Sequence, residues 1–404
     1  MRDAEPDITV VGGYYAERCV SPEVDARFGS GGRAALALAA VGRRVRWRYY
    51  CPAAEQLNAT RTVMHENLEH EPADSDALVS FRYTHPLARP EYLPFPLPRE
   101  EPLVVEGAAV LRFGLMEGTG VVKAETCVYD PQGDPADFRE NGSSASRLAI
   151  VLNLSEVLAL GRAPDEAGAV ERLFAGGNLS ALIVKAGADG CRVYENARLS
   201  AEVPPYQSAR VYKIGTGDVF SAAFAENWML AGRSAPDAAD VASRCVAHYA
   251  QTRTPAVRTD QATSVGTPIK PRVGGGQVYI AGPFFTTHEL WLVEEAYRGL
   301  KELGVKVFSP YHEIGLGQPS EVVPADLAAL DKTTAVLALL DGGDPGTLFE
   351  VGYATRIGLP VVALAQSTKR SDLTMLLGSP NCRVVDDFST ALYHVAWAGR
   401  RALT

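Results

Sequence analysis

The sequence predicts an α/β protein with two domains, and three observations support this class. The chain has 404 residues, whereas single hydrophobic cores stop growing at roughly 250 to 300 residues. Short apolar runs alternate with helical stretches, which is typical of a largely parallel sheet with helices on both faces. Residues 258–276 are polar and rich in Pro and Gly, as linkers are. We therefore predict a larger domain at residues 1–257 and a smaller one at 277–404.

The elements of the first domain follow in order from its apolar runs. The strand ITVV runs into two glycines and is followed by the small-residue helix GSGGRAALALAAVG and the strand RRVRWRYY. Later strand signals are AAVLRFG, CVYDPQ, LAIVLNLSE, ALIVKAGADG and CRVYEN, with the helix AGAVERLFAGG between the third and the fourth. Residues 52–102 break this rhythm with acidic and Pro-rich segments, so we predict an insertion or lid there.

The smaller domain repeats the alternation in a more regular form. The predicted strands are VYIAG, VKVFSP, AVLALLDGG and PVVALAQ, and the helices between them are THELWLVEEAYRGLKELG, PADLAALDKTT and TLFEVGYATRIG. This pattern predicts a compact parallel sheet, in which ligands bind beyond the carboxyl ends of the strands.

Composition and charge limit the class of partner. The formal net charge of −9 argues against a protein that grips a nucleic-acid backbone, because such binding needs clustered Lys and Arg. The six cysteines include no C-x-x-C pair, so we predict neither a zinc site nor a disulfide framework. No apolar run approaches the roughly 18 residues of a membrane span, and the N-terminus lacks the apolar core of a signal peptide. We expect a cytoplasmic protein with a small-molecule substrate and no nucleic-acid or membrane partner.

The segment KIGTGDVF, residues 213–220, combines the features of a phosphate site. Successive glycines let backbone N–H groups face an anion, and a helix N-terminus favours negative charge. Asp218, just inside the helix, is placed to take the proton of an attacking hydroxyl. The alternative is an ordinary Gly-rich turn in which Asp218 only caps the helix.

Four segments together, YDPQ, NLSE, KAGADG and GTGD, resemble the PfkB or ribokinase-like carbohydrate and nucleoside kinases, over residues 7–257. The resemblance implies a three-layer α/β/α ribokinase-like fold. It implies that Asp218 is the catalytic base and that Gly215, Thr216 and Gly217 form an anion hole.

The same resemblance implies ATP and Mg²⁺ as cofactors of this domain. Asn153 and Glu156 of NLSE match the motif that organises the phosphates and, indirectly through Glu156, the Mg²⁺ ion. Lys185, Gly187 and Gly190 match a strand and turn beside the nucleotide.

Two positions differ from the family pattern. The segment GGRAAL has Leu36 where a substrate-binding Asn is common, and VYKIGTGD lacks an aspartate that usually precedes the anion hole. A leucine cannot hydrogen-bond a sugar hydroxyl. The domain therefore has two possible roles: an active kinase with an unusual acceptor, or a nucleotide sensor that regulates the second domain.

Glu350 is a lone carboxylate in the apolar run LFEVGYA, which follows the acidic, glycine-rich loop DGGDPGT. A buried carboxylate without a partner is costly, so Glu350 is either exposed or chemically used. If used, it can attack the C1′ of a sugar, and a second carboxyl must then protonate the leaving group. Asp344 and Asp326 are the candidates. The alternative is that Asp341 and Asp344 form turns and that Asp326 and Glu350 are first-turn helix acids.

The whole second domain resembles the nucleoside 2-deoxyribosyltransferases and related nucleotide N-glycosidases. The residues that carry this resemblance are VYIAGPFF, GVKVFSP, the run from ADLAALDKTT to LFEVGYA, and GLPVV. It implies a flavodoxin-like or Rossmann-like parallel sheet, no cofactor, and self-association as a homo-oligomer.

The resemblance also implies roles for single residues of the second domain. Glu350 is implied as the nucleophile, Tyr279 as the hydroxyl that orients it, and Asp344 and Asp326 as the acids that hold and protonate the base. The implied sugar and substrate pocket is lined by Gly282, Pro283, Gly346 and Thr347.

Aromatic and histidine residues of the second domain have competing interpretations. His288 and His312 lack a third ligand at a suitable spacing, so a metal site is disfavoured and His312 is expected to line the pocket. Phe284 can stack on a base or pack in the core. The predicted function is a bifunctional enzyme of nucleoside or nucleotide metabolism that combines phosphate transfer with cleavage or exchange of an N-glycosidic bond.

Overall fold

The computed structural model describes residues 5–97, 99–133, 136–270 and 276–400. The chain divides into two compact units, Met1–Pro268 and Ile269–Thr404, which we call the N-terminal unit and the C-terminal unit. The division falls inside the predicted linker, of which residues 271–275 lie outside the described part. Pro268 pairs with Tyr206 in an isolated bridge, so the first half of that segment packs on the N-terminal unit.

The strands of the N-terminal unit form one large and one small sheet. In chain order they are β1 (Ile8–Val11), β2 (Ala16–Cys19), β3 (Val24–Arg27), β4 (Val45–Tyr50), β5 (Leu68–Ala73), β6 (Ser80–Tyr83), β7 (Glu91–Leu93), β8 (Leu103–Phe113), β9 (Gly120–Asp130), β10 (Ser144–Asn153), β11 (Leu179–Lys185), β12 (Cys191–Glu195) and β13 (Arg198–Val203). The nine-stranded sheet has the order β13-β12-β11-β10-β9-β8-β1-β4-β5. Its strands are parallel from β11 to β5, and β12 and β13 extend it as antiparallel neighbours.

The helices of this unit are α1 (Gly29–Ala39), α2 (Gln56–Thr62), α3 (Leu154–Gly161), α4 (Glu166–Ala175), α5 (Thr216–Ala225) and α6 (Ala235–Thr252), with a π-helical turn at Glu226–Leu230 after α5. Small residues let α1 approach the end of β1 closely, since a Cβ on Gly12 would come within 2.9 Å of the Gly31 Cα. This close contact brings the side chains of α1 to the carboxyl edge of the large sheet.

The predicted insertion at residues 52–102 contains regular structure of its own, apart from residue 98, which lies outside the described part. Strand β5 continues the large sheet beyond β4, whereas β6 and β7 join β2 and β3 in a four-stranded sheet with the order β3-β2-β6-β7. The sequence pattern did not separate these short strands because Pro and acidic residues dominate the segment.

The C-terminal unit is a parallel five-stranded sheet flanked by helices. Its strands are β14 (Gln277–Ala281), β15 (Lys306–Phe308), β16 (Ala335–Leu339), β17 (Val361–Leu364) and β18 (Cys382–Val385), in the order β15-β14-β16-β17-β18. Its helices are α7 (Thr287–Glu302), α8 (Pro310–Glu313), α9 (Pro319–Leu330), α10 (Pro345–Arg356), α11 (Thr374–Leu377) and α12 (Phe388–Ala398). The strand order reverses between β14 and β16, which is where sheets of this kind bind ligands. The predicted fold class is confirmed for both units.

Burial within each unit matches the apolar patterns of the sequence. Strand residues of β14, β16 and β17 are almost entirely buried, as expected for a sheet covered on both faces. All six cysteines are free thiols, and only Cys382 is partly exposed. Over the described residues, none of the helices combines the length and the apolar character that a membrane span requires.

Candidate active sites

The site of the N-terminal unit lies at the carboxyl ends of neighbouring parallel strands. Asp130 ends β9, Asn153 ends β10 and Lys185 ends β11, and Asn153 lies opposite Lys185 in the strand register. Helix α5 begins beside them with Gly215 as its N-cap, at φ +81°. A residue with a side chain rarely adopts this backbone angle, so the turn requires glycine.

Two lysines lie at the predicted anion hole. The Nζ of Lys185 would lie 3.7 Å from a Cβ on Gly217, and the Nζ of Lys213 donates to the Thr216 hydroxyl at 3.2 Å. Burial lowers the pKa of Lys213, and the neighbouring Lys185 lowers it further. Two ammonium groups beside backbone N–H groups at a helix N-terminus give this corner a strong preference for anions.

Asp130 is the most deeply buried carboxylate of this site. Its Oδ2 accepts hydrogen bonds from the Lys185 Nζ at 3.0 Å and the Ser221 hydroxyl at 2.6 Å. Its Oδ1 is buried and has no hydrogen-bond partner among the described residues. An unsatisfied carboxylate oxygen next to an anion site is the type of ligand that Mg²⁺ takes.

The predicted Mg²⁺ and phosphate residues of NLSE form a capping box at the start of α3. The Asn153 Oδ1 accepts from the Glu156 backbone N–H at 2.9 Å, and Glu156 accepts from the Asn153 N–H at 2.7 Å. Burial raises the pKa of Glu156, and the Lys185 charge opposes that rise. One oxygen of Glu156 is thus occupied by the backbone, which fits an indirect rather than a direct role at a metal.

The residues present fit a phosphate-bearing ligand with a hard cation. Within the described ranges, no group of three or more His, Cys, Asp or Glu side chains could hold a metal alone. Asp130 could therefore supply one oxygen ligand while phosphate oxygens and water supply the rest, as is usual for Mg²⁺. Bound there, the cation would neutralise phosphate charge.

The two glycines of KAGADG lie in a tight turn between β11 and β12. Gly187 and Gly190 have φ values of +55° and +83°. A Cβ on Gly190 would come within 2.8 Å of the Pro205 nitrogen, so packing alone requires glycine there. Their predicted contact with a nucleotide stays a prediction.

Both oxygens of Asp218 are engaged by side chains of the unit itself. Its Oδ2 accepts from the Arg33 guanidinium, and its Oδ1 accepts from the Gln132 amide at 2.8 Å. The other terminal nitrogen of Arg33 donates to Glu17 of β2. Burial raises the pKa of Asp218 to about 6 despite the opposing charge of Arg33.

The site of the C-terminal unit centres on a contact between β14 and α10. The Tyr279 hydroxyl donates to the Glu350 Oε1 at 2.6 Å. Burial raises the pKa of Glu350 to about 7, the Tyr279 hydrogen bond opposes that rise, and the charges of Asp326 and Asp344 add to it. Burial also raises the pKa of Tyr279, so the phenol stays protonated and can only donate to the carboxylate. The structure places this pair at the point where the strand order reverses.

The two predicted acids differ in their environments. Asp344 caps α10, because its Oδ2 accepts from the Thr347 N–H at 2.7 Å and from the Thr347 hydroxyl at 2.9 Å. Asp326 has a buried Oδ1 without a hydrogen-bond partner among the described residues. Burial raises the pKa of Asp326, and the nearby Tyr279 hydroxyl opposes that rise. Asp326 is therefore the group better able to hold a proton.

Purely structural roles were the alternative for these carboxylates, and the structure shows such a role for only one of the three. Helix α10 has no acidic residue in its first turn, and Glu350 lies in the second turn. Helix α9 begins at Pro319, five residues before the predicted start at Pro324, which places Asp326 in its interior. The interpretation of both as first-turn acids is wrong. Asp344, by contrast, does cap a helix.

The other pocket residues lie around the same edge of the sheet. Gly282 follows β14, where a Cβ would come within 3.0 Å of the Leu339 side chain, and Pro283 is buried next to it. Gly346, in the first turn of α10, would bring a Cβ within 3.1 Å of the Asp344 Oδ2. A side chain at either position would therefore be tightly packed against its neighbour.

Phe284 and His312 belong to one aromatic cluster. The ring of Phe284 lies 5.1 Å from that of Phe285 and 5.5 Å from that of Tyr311. His312 stacks on Tyr297 at 3.8 Å, and its Nε2 lies 3.3 Å from Glu294. These contacts favour packing within the cluster as the role of both side chains.

Several residues of the N-terminal site were not identified from the sequence. Arg33 lies inside the small-residue helix GSGGRAALALAAVG, and Lys213 opens the segment KIGTGDVF. Asp130 and Gln132 lie in YDPQ, one of the four segments that carry the resemblance to the kinases. The available signal was a charged residue that ends a buried strand, which often marks a ligand site.

Comparison with known proteins agrees with this division of the chain. Residues 119–259 match the family model of the pfkB family carbohydrate kinases, and residues 278–390 match that of the nucleoside 2-deoxyribosyltransferases. A comparison with curated proteins found no match.

Solved structures of kinases resemble part of the chain at low identity. Phosphofructokinase-2 from Escherichia coli is 14% identical with a TM-score of 0.48, and the match covers 65% of this chain and 98% of that chain. A pyrophosphate-dependent kinase of the ribokinase family is 16% identical with a TM-score of 0.44, covering 63% and 98%. A probable sugar kinase from Rhizobium etli is 13% identical with a TM-score of 0.44, covering 64% and 96%. By the two family models, the chain joins a part that resembles the pfkB family carbohydrate kinases to a part that resembles the nucleoside 2-deoxyribosyltransferases.

Proposed function

We propose that the C-terminal unit cleaves or exchanges the N-glycosidic bond of a nucleoside, deoxynucleoside or nucleotide with Glu350 as the nucleophile. The observation that carries this proposal is the 2.6 Å hydrogen bond from Tyr279 to Glu350 at the ligand-binding edge of the sheet. It fixes one carboxylate oxygen and leaves the other for attack. A carboxylate whose pKa is about 7 is also readily protonated when no substrate is bound.

The reaction follows from the two carboxyl groups. An oxygen of Glu350 bonds to C1′ while the bond from C1′ to the base nitrogen breaks and leaves its electron pair on that nitrogen. Asp326 supplies the proton that the departing base takes up, and Asp344 holds the start of α10 in place. The sugar ester on Glu350 is then attacked by a second base nitrogen, which gives exchange, or by water, which gives hydrolysis.

The test is a substrate panel with matched variants. Full-length protein is incubated with nucleosides and nucleotides, with and without Mg-ATP, and the products are identified by mass. Glu350→Gln should abolish base release from every substrate that the wild type uses. Glu321→Gln, on the exposed start of α9, serves as the control and should retain the wild-type rate. Base release by Glu350→Gln at the wild-type rate would refute the assignment.

For the N-terminal unit we propose phosphate transfer from ATP to a hydroxyl of a sugar or nucleoside. Asp218 receives the proton of the acceptor hydroxyl, and the N–H groups of residues 215–217 face the phosphate charge together with Lys185 and Lys213. The supporting observation is that these groups converge at the carboxyl ends of β9, β10 and β11. Asp218→Asn should retain ATP binding and lose phosphate transfer to any acceptor that the wild type phosphorylates.

A second candidate for this unit is a nucleotide sensor that regulates a nucleotide-depleting C-terminal unit. The engagement of both Asp218 oxygens by Arg33 and Gln132 favours it. Under this alternative, ATP changes the rate of base release equally in the wild type and in Asp218→Asn. ATP turnover that is present in the wild type and lost in Asp218→Asn would exclude it.

Self-association and a cytoplasmic location complete the proposal. Leu348 and Phe349, which precede Glu350 on α10, are 48% and 59% exposed, and such apolar side chains next to a site support an interface with a second copy. The free state of all six cysteines supports a reducing compartment. Light scattering of the purified protein should give a mass above that of one chain.

A further inference from the structure

Arg33 is engaged with the carboxylate that is proposed as the catalytic base. Its guanidinium bridges Asp218 on α5 and Glu17 on β2, and all three residues are more than nine-tenths buried. A Cβ on Gly215 would come within 2.5 Å of the guanidinium, so Arg33 packs directly on the first glycine of the anion hole. The rings of Phe28 and Tyr249 each lie 6.0 Å from it.

The contacts of Arg33 differ from those of a structural ion pair elsewhere in the unit. Glu226, in the π-helical turn, is held by Arg43 and Arg258, and it has no part in the site. Arg33 instead ties up Asp218, which lies in the first turn of α5 at the anion hole. Gln132 covers the second oxygen of that carboxylate at 2.8 Å, which leaves Asp218 only 8% exposed.

A base covered in this way cannot accept a proton from water. A general base must lie within hydrogen-bond reach of the proton that it removes. An arginine beside it also stabilises the ionised carboxylate and so weakens it as a base. Water that reaches the bound phosphate donor therefore finds Asp218 already engaged, whereas an acceptor that binds between β2 and α5 can displace the guanidinium.

We propose that Arg33 is a positioning residue that caps Asp218 in the absence of an acceptor and so suppresses wasteful hydrolysis of the phosphate donor. The inference rests on the proposed role of Asp218 as the base. In the suppressed reaction, a water oxygen bonds to the terminal phosphorus of ATP and the bond from that phosphorus to the ADP oxygen breaks. The electron pair leaves with ADP, and the water proton passes to Asp218.

The test measures phosphate release from Mg-ATP without any acceptor, at a pH above the Asp218 pKa of about 6. The main variant is Arg33→Gln combined with Glu17→Gln, because loss of Arg33 alone leaves two buried carboxylates facing each other. Arg33→Lys is the conservative variant, since one ammonium group cannot bridge both carboxylates as a guanidinium does. Arg43→Gln is the matched control, because it removes an arginine from a buried carboxylate outside the site.

The double variant should release phosphate roughly 10- to 100-fold faster than the wild type, since a general base contributes on the order of 10²- to 10⁴-fold. Arg33→Lys should give a smaller increase and Arg43→Gln none. Adding Asp218→Asn to the double variant should return release to the wild-type level, which a merely loosened fold would not do.

Calorimetric titration of the wild type and each variant with ATP distinguishes failure of the capping role from failure of the proposed nucleotide site. If the double variant binds ATP like the wild type but releases phosphate no faster, the capping role of Arg33 is wrong while the nucleotide site stands. If the wild type itself does not bind ATP, the proposed donor is wrong, and the capping role falls with it. An increase that persists with Asp218→Asn also overturns the inference.

Discussion

Burial and the hydrogen bond from Tyr279 together set the pH at which Glu350 is ionised. Burial raises the pKa of Glu350 to about 7, and the Tyr279 hydroxyl works in the opposite direction. Only the ionised carboxylate is a nucleophile. The rate of base release should therefore rise with pH and reach its midpoint near pH 7.

Replacing Tyr279 by Phe should move that midpoint to a higher pH. The substitution removes the hydrogen bond that favours the charged form, and such bonds to charged groups are worth about 1.5 to 3 kcal/mol. The rate below pH 7 should fall roughly 10-fold or more. The measurement is the pH profile of base release. The control is Tyr353→Phe, on the same helix as Glu350. It removes a hydroxyl that donates to Asp331 and should leave the midpoint unchanged.

The same carboxyl links stability to pH. An unfolded Glu loses its proton near its ordinary pKa of 4.5, whereas the pKa of Glu350 in the folded protein is about 7. Between these values the folded state binds more protons, so this group lowers stability as pH rises through the window. Glu350→Gln should lack this part of the decline. Urea unfolding at the two ends of this pH window measures the decline in the free energy of unfolding. An equal decline in the variant and the wild type would contradict the prediction.

At the scale of elements, one side chain joins two loops at the carboxyl edge of the C-terminal sheet. Asp341, which follows β16, accepts hydrogen bonds from the backbone N–H groups of Gln366, Ser367 and Thr368 beyond β17, and from two of their hydroxyls. Burial would raise the pKa of Asp341, but these bonds outweigh it and lower the pKa. Asp341 was interpreted as a turn former, and the structure shows that it also fixes the neighbouring loop.

Asp341→Ala should lower the free energy of unfolding of the C-terminal unit by roughly 2 kcal/mol, because hydrogen bonds to a charged group are lost while water replaces part of them. Since the pKa of Asp341 is lowered in the folded state, its contribution to stability is present above the ordinary Asp pKa of 3.8 and is lost as pH falls through the lower folded pKa. Urea denaturation followed near neutral pH and in acid tests both points. Asp372→Ala, at an exposed site bonded only locally to Ser371 among the contacts described, should have little effect.

How much the sequence predicts also differs between elements. The strands β14, β16 and β17 and the helix α10 follow from continuous apolar runs and helical periodicity, which local sequence determines. Strands β2, β3, β6 and β7 could not be predicted, since they are short, carry charged residues and gain stability only by pairing with one another. The bridge from Arg33 to Glu17 depends on that pairing, so no local pattern revealed it.

At the scale of the whole molecule, each unit has its own core and its own site. We expect residues 269–404, expressed alone, to fold cooperatively and to release base at a rate within a few-fold of the full chain, as compact domains usually do. Circular dichroism and the base-release assay measure this. An unfolded fragment, or one without activity beside an active full chain, would show that the N-terminal unit completes the second site.

The distribution of thiols gives this molecule an internal reporter. Five of the six cysteines lie buried in the N-terminal unit, and Cys382 on β18 is the sixth. Burial raises the pKa of Cys382 to about 11, so even this thiol reacts slowly while β18 stays paired. Pulse alkylation followed by peptide mass spectrometry would therefore date the opening of each unit separately. A nucleotide that slows alkylation of the five N-terminal thiols but not of Cys382 binds to the N-terminal unit, and the reverse pattern indicates the C-terminal unit. This assignment needs no assumption about catalysis.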